Sequence, residues 1–278
     1  MNLAVREQIV KTVVKSGNGG AVWVPKGWLG QEVVVILPQK PKLEIKEKII
    51  HLLEPYLKDI ISVFIYGSYA RHEQIKESDI DVMVITKDKE INKKIFLRKN
   101  FFANSNLEIT AFELEKFKKA IQKYPVMYYQ IVQEAEPLIN AHVLDELKGI
   151  KIDYKNFKNY LEETKEHIKS SNELLELDKL EGGNIKSYSI AYSIILRLRG
   201  IFIVKCIFDK EKFSNKNLKK WLIINGVSAS EFEQFYSVYR AVRDSKKISH
   251  IIKISSAEKL LNILEKELNT IKARIHDK

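Results

Sequence analysis

Between residues 43 and 150 short apolar runs alternate with charged, helix-like stretches. Leu43 to Leu57 carries apolar side chains at Ile45, Ile49, Leu52, Leu53 and Tyr56, a spacing that predicts an amphipathic helix. Ile60 to Tyr66 and Ile80 to Ile85 are apolar runs of strand length, and Asn106 to Phe112 reads as a third strand. Glu115 to Lys123 predicts a short helix, and Tyr128 to Val132 continues an apolar face. Glu136-Pro137-Leu138-Ile139 suits an edge strand, because proline cannot donate to a central ladder. Lys87 to Lys99 is mixed and charged, and its pattern assigns no element.

From residue 151 the periodicity is helical throughout. Phe157 to Leu177 is amphipathic, and Leu180 to Asn184, with Gly182 and Gly183, breaks it. Ile185 to Phe208 is long and mostly apolar, as expected of a bundle's central helix. Asn215 to Asn225 ends at Gly226, and Ser228-Ala229-Ser230-Glu231 has the form of a capping box opening the next helix. Tyr236 and Tyr239 in that helix read as packing residues. Ser256 to Ile275 is the fifth helix. The first 40 residues differ again. Gln8 to Lys15, Ala21 to Pro25 and Val33 to Leu37 read as strands, Gly17-Asn18-Gly19 as a turn, and Pro38 to Pro41 as a linker. The expected class is α+β: a small N-terminal β unit (1–40), a central mixed sheet with helices (43–150) and a C-terminal helical bundle (151–278).

The 278 residues suffice for two or three domains, and 45% hydrophobic content excludes a disordered chain. The formal net charge of +11 fits a nucleotide or nucleic-acid partner, or simply a lysine-rich surface. Cys206 has no partner cysteine, which points to a reducing, cytoplasmic setting and a buried thiol. No stretch has the form of a signal peptide or a membrane span.

The candidate chemistry sits in Tyr66-Gly67-Ser68-Tyr69-Ala70-Arg71-His72, followed by Asp79-Ile80-Asp81 at the head of an apolar run. In a strand, residues two apart face the same way, so Asp79 and Asp81 aim two carboxylates at one point with Ile80 turned away. Such a pair is costly without a cation between its members, and Mg²⁺ suits one or two carboxylates plus substrate phosphates. Gly67 allows close approach of backbone N–H groups to an anion, and Ser68 adds a hydroxyl at an expected helix start.

This corner and its acidic strand resemble the signature of the DNA polymerase beta-like nucleotidyltransferases, in particular their small, minimal members. His72 stands where that family usually has glycine. The resemblance implies a nucleotide triphosphate, with ATP expected, bound at Gly67, Ser68 and Arg71. It implies two Mg²⁺ ions on Asp79, Asp81 and a third carboxylate on the neighbouring strand, which completes the metal site or serves as base. Glu108 occupies that place, with Glu113 and Glu115 as rivals. The activity implied is NMP transfer to a hydroxyl on a protein, an RNA or a small molecule, with release of pyrophosphate.

Two further resemblances bear on the flanks. Gly17-Asn18-Gly19, Val24-Pro25-Lys26-x-Trp28 and Gly30 to Ile36 resemble AbrB-like swapped-hairpin domains. That likeness implies a homodimer, with Arg6, Lys11, Lys15 and Lys26 contacting DNA phosphates unless those cations are merely solvated. The five-helix C-terminal part resembles the HEPN family and the substrate-binding helical domains that accompany small nucleotidyltransferases. Some HEPN proteins are RNases with an Arg-x(4–6)-His motif, which Arg243 and His250 match in spacing. The alternative is that Arg243 pairs with Asp244 or a neighbouring helix. A DNA-binding regulator and a toxin–antitoxin-like module therefore stand beside the transferase as readings of the whole chain.

Overall fold

The computed structural model describes residues 11, 13–35, 45–75, 78–99, 106–248 and 250–276. The chain divides into two units, Met1–Leu43 and Glu44–Lys278. In the first, β1 (Val14–Ser16) and β2 (Gly19–Ala21) pair antiparallel around a turn in which Gly17 takes φ +56°. Pro25 precedes a single 3-10 turn at Lys26–Trp28. The expected third strand is not formed over its described residues: Val33, Val34 and Val35 are irregular and exposed, and among the described residues the small sheet consists of β1 and β2. The physical reason is pairing. A strand exists only against a neighbour, and the described residues of this unit pair none with Val33–Val35. Arg6 and residues 8–10 and 12 of the expected first strand lie outside the described residues.

The second unit begins with α1 (Ile45–Leu53), whose Ile49, Leu52 and Leu53 are fully buried. Pro55 tightens the following residues, Glu54–Asp59, into 3-10 geometry. Then come β3 (Ile60–Tyr66), the single turn α2 (Gly67–Ala70), β4 (Ile80–Thr86), α3 (Lys89–Lys99) and β5 (Leu107–Glu113). The helix α3 falls on the charged stretch that the sequence pattern left unassigned. It seats Ile91 and Ile95 against the sheet and leaves Lys89, Lys93 and Lys94 in solvent. Helices α4 (Leu114–Lys123) and α5 (Pro125–Glu134), strand β6 (Glu136–Ile139) and α6 (Ala141–Lys148) complete this part.

The sheet order is β5-β4-β3-β6, with β6 on an edge as Pro137 requires. Strand β3 is antiparallel to both β4 and β6, while β4 and β5 are parallel. Alternation along the strands sorts the core into two layers. Val63, Ile65, Ile80, Val82, Val84, Leu107 and Ile109 pack toward α1 and α3. Phe64, Met83 and Ile85 pack toward α4, α5 and α6 through Phe117, Ile121, Val132 and Leu144. Asp81, Glu108 and Tyr66 belong by parity to this second face, at the end of the sheet where β3 leaves it.

The bundle comprises α7 (Lys158–Glu181), α8 (Tyr188–Asp209), α9 (Asn215–Ile224), α10 (Ala229–Arg243) and α11 (Ile254–His276). Helix α7 runs past the expected end at Leu177 and stops at Gly182 (φ +142°). Helix α8 is apolar nearly all round because α7, α10 and α11 all pack on it. Gly226 (φ +92°) ends the α9 segment, and the expected capping box is formed, with Ser228 and Glu231 exchanging hydrogen bonds of 2.8 and 3.1 Å. Glu231 also accepts from Ser256 and Lys259 of α11, and together these donors hold its carboxyl down at about 2. Tyr239 is buried as a packing residue, and Tyr236, half-buried, lies against it. Cys206 is a buried thiol pushed up to about 12 by that burial. Among the described residues, no helix is long and apolar enough to cross a membrane.

Candidate active site

The site grows from the end of β3. Tyr66 is the last strand residue, and Gly67 turns the chain with φ +74°. That conformation favours glycine. The space demands it too: a Cβ on Gly67 would collide with Oδ2 of Asp81 and lie 3.0 Å from its Cγ. The Gly-Ser corner and the second aspartate are therefore in direct apposition. The helix expected to start at Ser68 is only the single turn α2, and the chain leaves it at His72 with φ +53°. His72 thus adopts the left-handed conformation natural to the glycine it replaces. So short a helix has little dipole to offer an anion, which leaves the local donors of the corner, above all the Ser68 hydroxyl, for that task.

Asp81 is flanked in register by Tyr66 of β3 and Glu108 of β5. Residues opposite one another in neighbouring strands share a face, so Glu108 stands beside Asp81 on the side of the sheet that bears the corner. Glu113 lies at the far end of β5 opposite Thr86, and Glu115 lies in α4. Asp79 precedes β4 and is exposed. Ile80 is buried in the opposite layer, as alternation requires. The acids feel one another. Burial, then Asp79, Glu134 and Glu108, push the Asp81 carboxyl up to about 6 against the opposing pull of Arg71. Tyr66 is raised to about 12 by burial and by Asp81, Glu108 and Glu134, against the hydrogen bond with Thr110.

Not every expectation is met. Among the described residues, no three His, Cys, Asp or Glu side chains converge closely enough to hold a metal ion as they stand. The expected three-carboxylate centre is therefore not assembled by the side chains, although the register brings Asp81 and Glu108 side by side. The donor set is nonetheless all oxygen and rich in repelling charge. Mg²⁺ takes one or two carboxylates with the rest from phosphate and water, so the residues present fit that ion.

Arg71, expected to bind nucleotide, is engaged elsewhere. Its Nη1 donates to both Glu134 oxygens at 2.8 Å, and its Nε donates to Glu73 at 2.9 Å. Burial works against its charge, but the two carboxylates outweigh it and raise the guanidinium further. Glu73 in turn accepts from the backbone and side-chain amides of Asn215 at 2.9 and 2.8 Å, at the start of α9. Phe213 lies between the guanidiniums of Arg71 and Arg199, 5.7 and 5.2 Å from its ring centre, and Arg199 continues to Asn215 and Tyr236. Ion pairs, hydrogen bonds and cation–ring contacts thus join the corner to the bundle.

Glu134 and Glu73 escaped the sequence reading. Glu134 ends α5, where a carboxylate opposes the helix dipole. That broken local rule was the available sign that it has a partner. Glu73 carried no sign of its link to the bundle, because Asn215 lies 142 residues away. Arg243, a candidate RNase residue, is held by Asp244 at 2.7 Å, and His250 lies exposed in the loop that follows α10.

A Gly-Ser corner is thus pressed against acidic residues at one end of a mixed sheet. Residues 47–144 match the family model described as polymerase beta, nucleotidyltransferase, and the central part of this chain is a nucleotidyltransferase domain. Solved structures resemble the chain more loosely. A toxin–antitoxin crystal structure with AMP-PNP has 17% identity and a TM-score of 0.29 over 44% of this chain and 92% of that one. The spectinomycin adenyltransferase AAD(9) from Enterococcus faecialis, solved with ATP and spectinomycin, has 16% identity and a TM-score of 0.43 over 80% of this chain and 97% of that one. No curated protein matches the chain.

Proposed function

We propose that the chain transfers an NMP from a nucleoside triphosphate, ATP foremost, to a hydroxyl acceptor with release of pyrophosphate. The observation that carries this reading is the apposition of Gly67 and the Asp81 carboxylate, with Glu108 opposite Asp81 on the next strand. Asp79 and Asp81 would hold Mg²⁺, which supplies neutralisation of the attacking and leaving oxygens. Ser68 holds the triphosphate through its hydroxyl. Glu108 takes the proton of the acceptor hydroxyl as general base. Asp81 stays ionised above about pH 6 and so keeps its ligand form at neutral pH. Most of the acceleration comes from orientation and charge neutralisation.

The test is incubation with each labelled NTP, Mg²⁺ and a cell extract, followed by sorting the label into protein, RNA and small-molecule fractions. The fraction labelled names the acceptor class. Transfer should vanish in D79N and D81N with the thermal midpoint retained, and labelling at the wild-type rate in the double variant refutes the assignment.

A second reading concerns residues 1–40. Trp23, Leu29, Val34 and Val35 are each between 68 and 73% exposed. So much bare apolar surface on so short a unit favours a swapped-hairpin homodimer, with Lys11, Lys15 and Lys26 available to DNA phosphates. Deleting residues 1–40 should then yield monomers and abolish salt-sensitive DNA binding.

A further inference from the structure

The carboxylate of Glu134 makes four hydrogen bonds. Oε1 accepts from the Gly67 backbone N–H and from Arg71, each at 2.8 Å. Oε2 accepts from Arg71 at 2.8 Å and from Gln130, one helical turn earlier, at 2.9 Å. The side chain is only 8% exposed. This carboxylate therefore takes the Gly67 amide that the family resemblance offers to a phosphate, and its four donors leave it no unmet demand.

We propose that Glu134 is a positioning residue of the transfer reaction. It pins the Gly67 amide from behind, which fixes the turn and leaves the neighbouring Ser68 turned toward the triphosphate. Through Arg71 and Glu73 it also anchors that turn to the start of α9. A buried carboxylate with four donors is not readily displaced. Glu134 accordingly stays in place when nucleotide binds and acts on the phosphate only through the backbone it holds. The inference rests on the nucleotidyl-transfer reading and adds to it a residue at the far end of a helix.

The experiment compares wild type, E134Q and E134D in labelled-NTP transfer and in titration with Mg²⁺ and AMP-PNP. Glutamine keeps the length and the acceptor to Gly67 but sets an N–H₂ against the other donors. Aspartate keeps the charge but is one methylene too short to span Gly67 and Arg71 together. Both variants should raise KM for NTP and weaken AMP-PNP binding by about tenfold, the size of one lost charge-assisted hydrogen bond, with a smaller change in kcat. A role confined to stability would lower the thermal midpoint and the active fraction while leaving KM at the wild-type value, and that result overturns the proposal. Tighter AMP-PNP binding in E134Q also overturns it, because Glu134 would then be occupying the phosphate's own place. Absence of transfer by the wild type, with AMP-PNP still bound, would instead remove the parent reading.

Discussion

Replacing Gly67 by alanine tests the central contact of the site. The residue has φ +74°, a region in which a Cβ costs roughly 1 kcal/mol or more. The added methyl would strike Asp81 Oδ2, stand 3.0 Å from Cγ and 3.4 Å from Cβ. The far end of Asp81 can rotate away, but its Cβ is fixed by β4, so overpacking adds about 1–3 kcal/mol. A total of about 2–4 kcal/mol is expected, and at roughly 2–4 °C per kcal/mol for a domain of this size the midpoint should fall visibly in a thermal melt. Activity should fall further than stability. Turning the Asp81 carboxylate away from the corner moves a metal-binding oxygen by the order of 1 Å, a displacement that costs about 100-fold in a positioned reaction. The assay pairs the melt with Mg²⁺-dependent label transfer at a temperature where the variant is folded. G67A with wild-type transfer would mean that Asp81 does not work from the rotamer seen here, and the reasoning from close approach would fail.

Other outcomes follow from the same structure. The Asp81 carboxyl, raised by burial and neighbouring acids to about 6, should make Mg²⁺-dependent transfer decline as pH falls through that value. Without metal the sign for stability is opposite: the folded state holds a proton that the unfolded chain releases near its ordinary value of 3.8, so stability should decrease as pH rises from about 4 to about 6, and a pH series of melts reads it. E231A should destabilise the bundle by about 1–2 kcal/mol, because it removes a capping box and a tie to Ser256 and Lys259 together, which denaturant unfolding measures. G200A should destabilise the α7–α8 contact by about 1–3 kcal/mol, since its Cβ would meet the hydroxyl end of the half-buried Tyr160 ring. H250A should leave any RNA in the transfer assay uncut to the same degree as wild type, because Arg243 is held by Asp244.

The sequence alone determined the elements that obey a local period. Four strands of the larger sheet, the edge position of β6 and five helices of the bundle could be read from apolar spacing and from Pro137, Gly226 and the Ser228–Glu231 box. It also determined the acidic strand and its glycine-serine corner, because both fall within one stretch of chain. Only the tertiary structure decided the rest. A parallel register sets Glu108, rather than Glu113 or Glu115, opposite Asp81. Glu134 reaches Gly67 across 67 residues and Glu73 reaches Asn215 across 142, so no local pattern could reveal either pair. The pairing of Arg71 with Glu134, 63 residues away, has the same cause. A side chain's period reports which face it is on, but its partners are set by how distant elements pack, and that is where the charges of this site find one another.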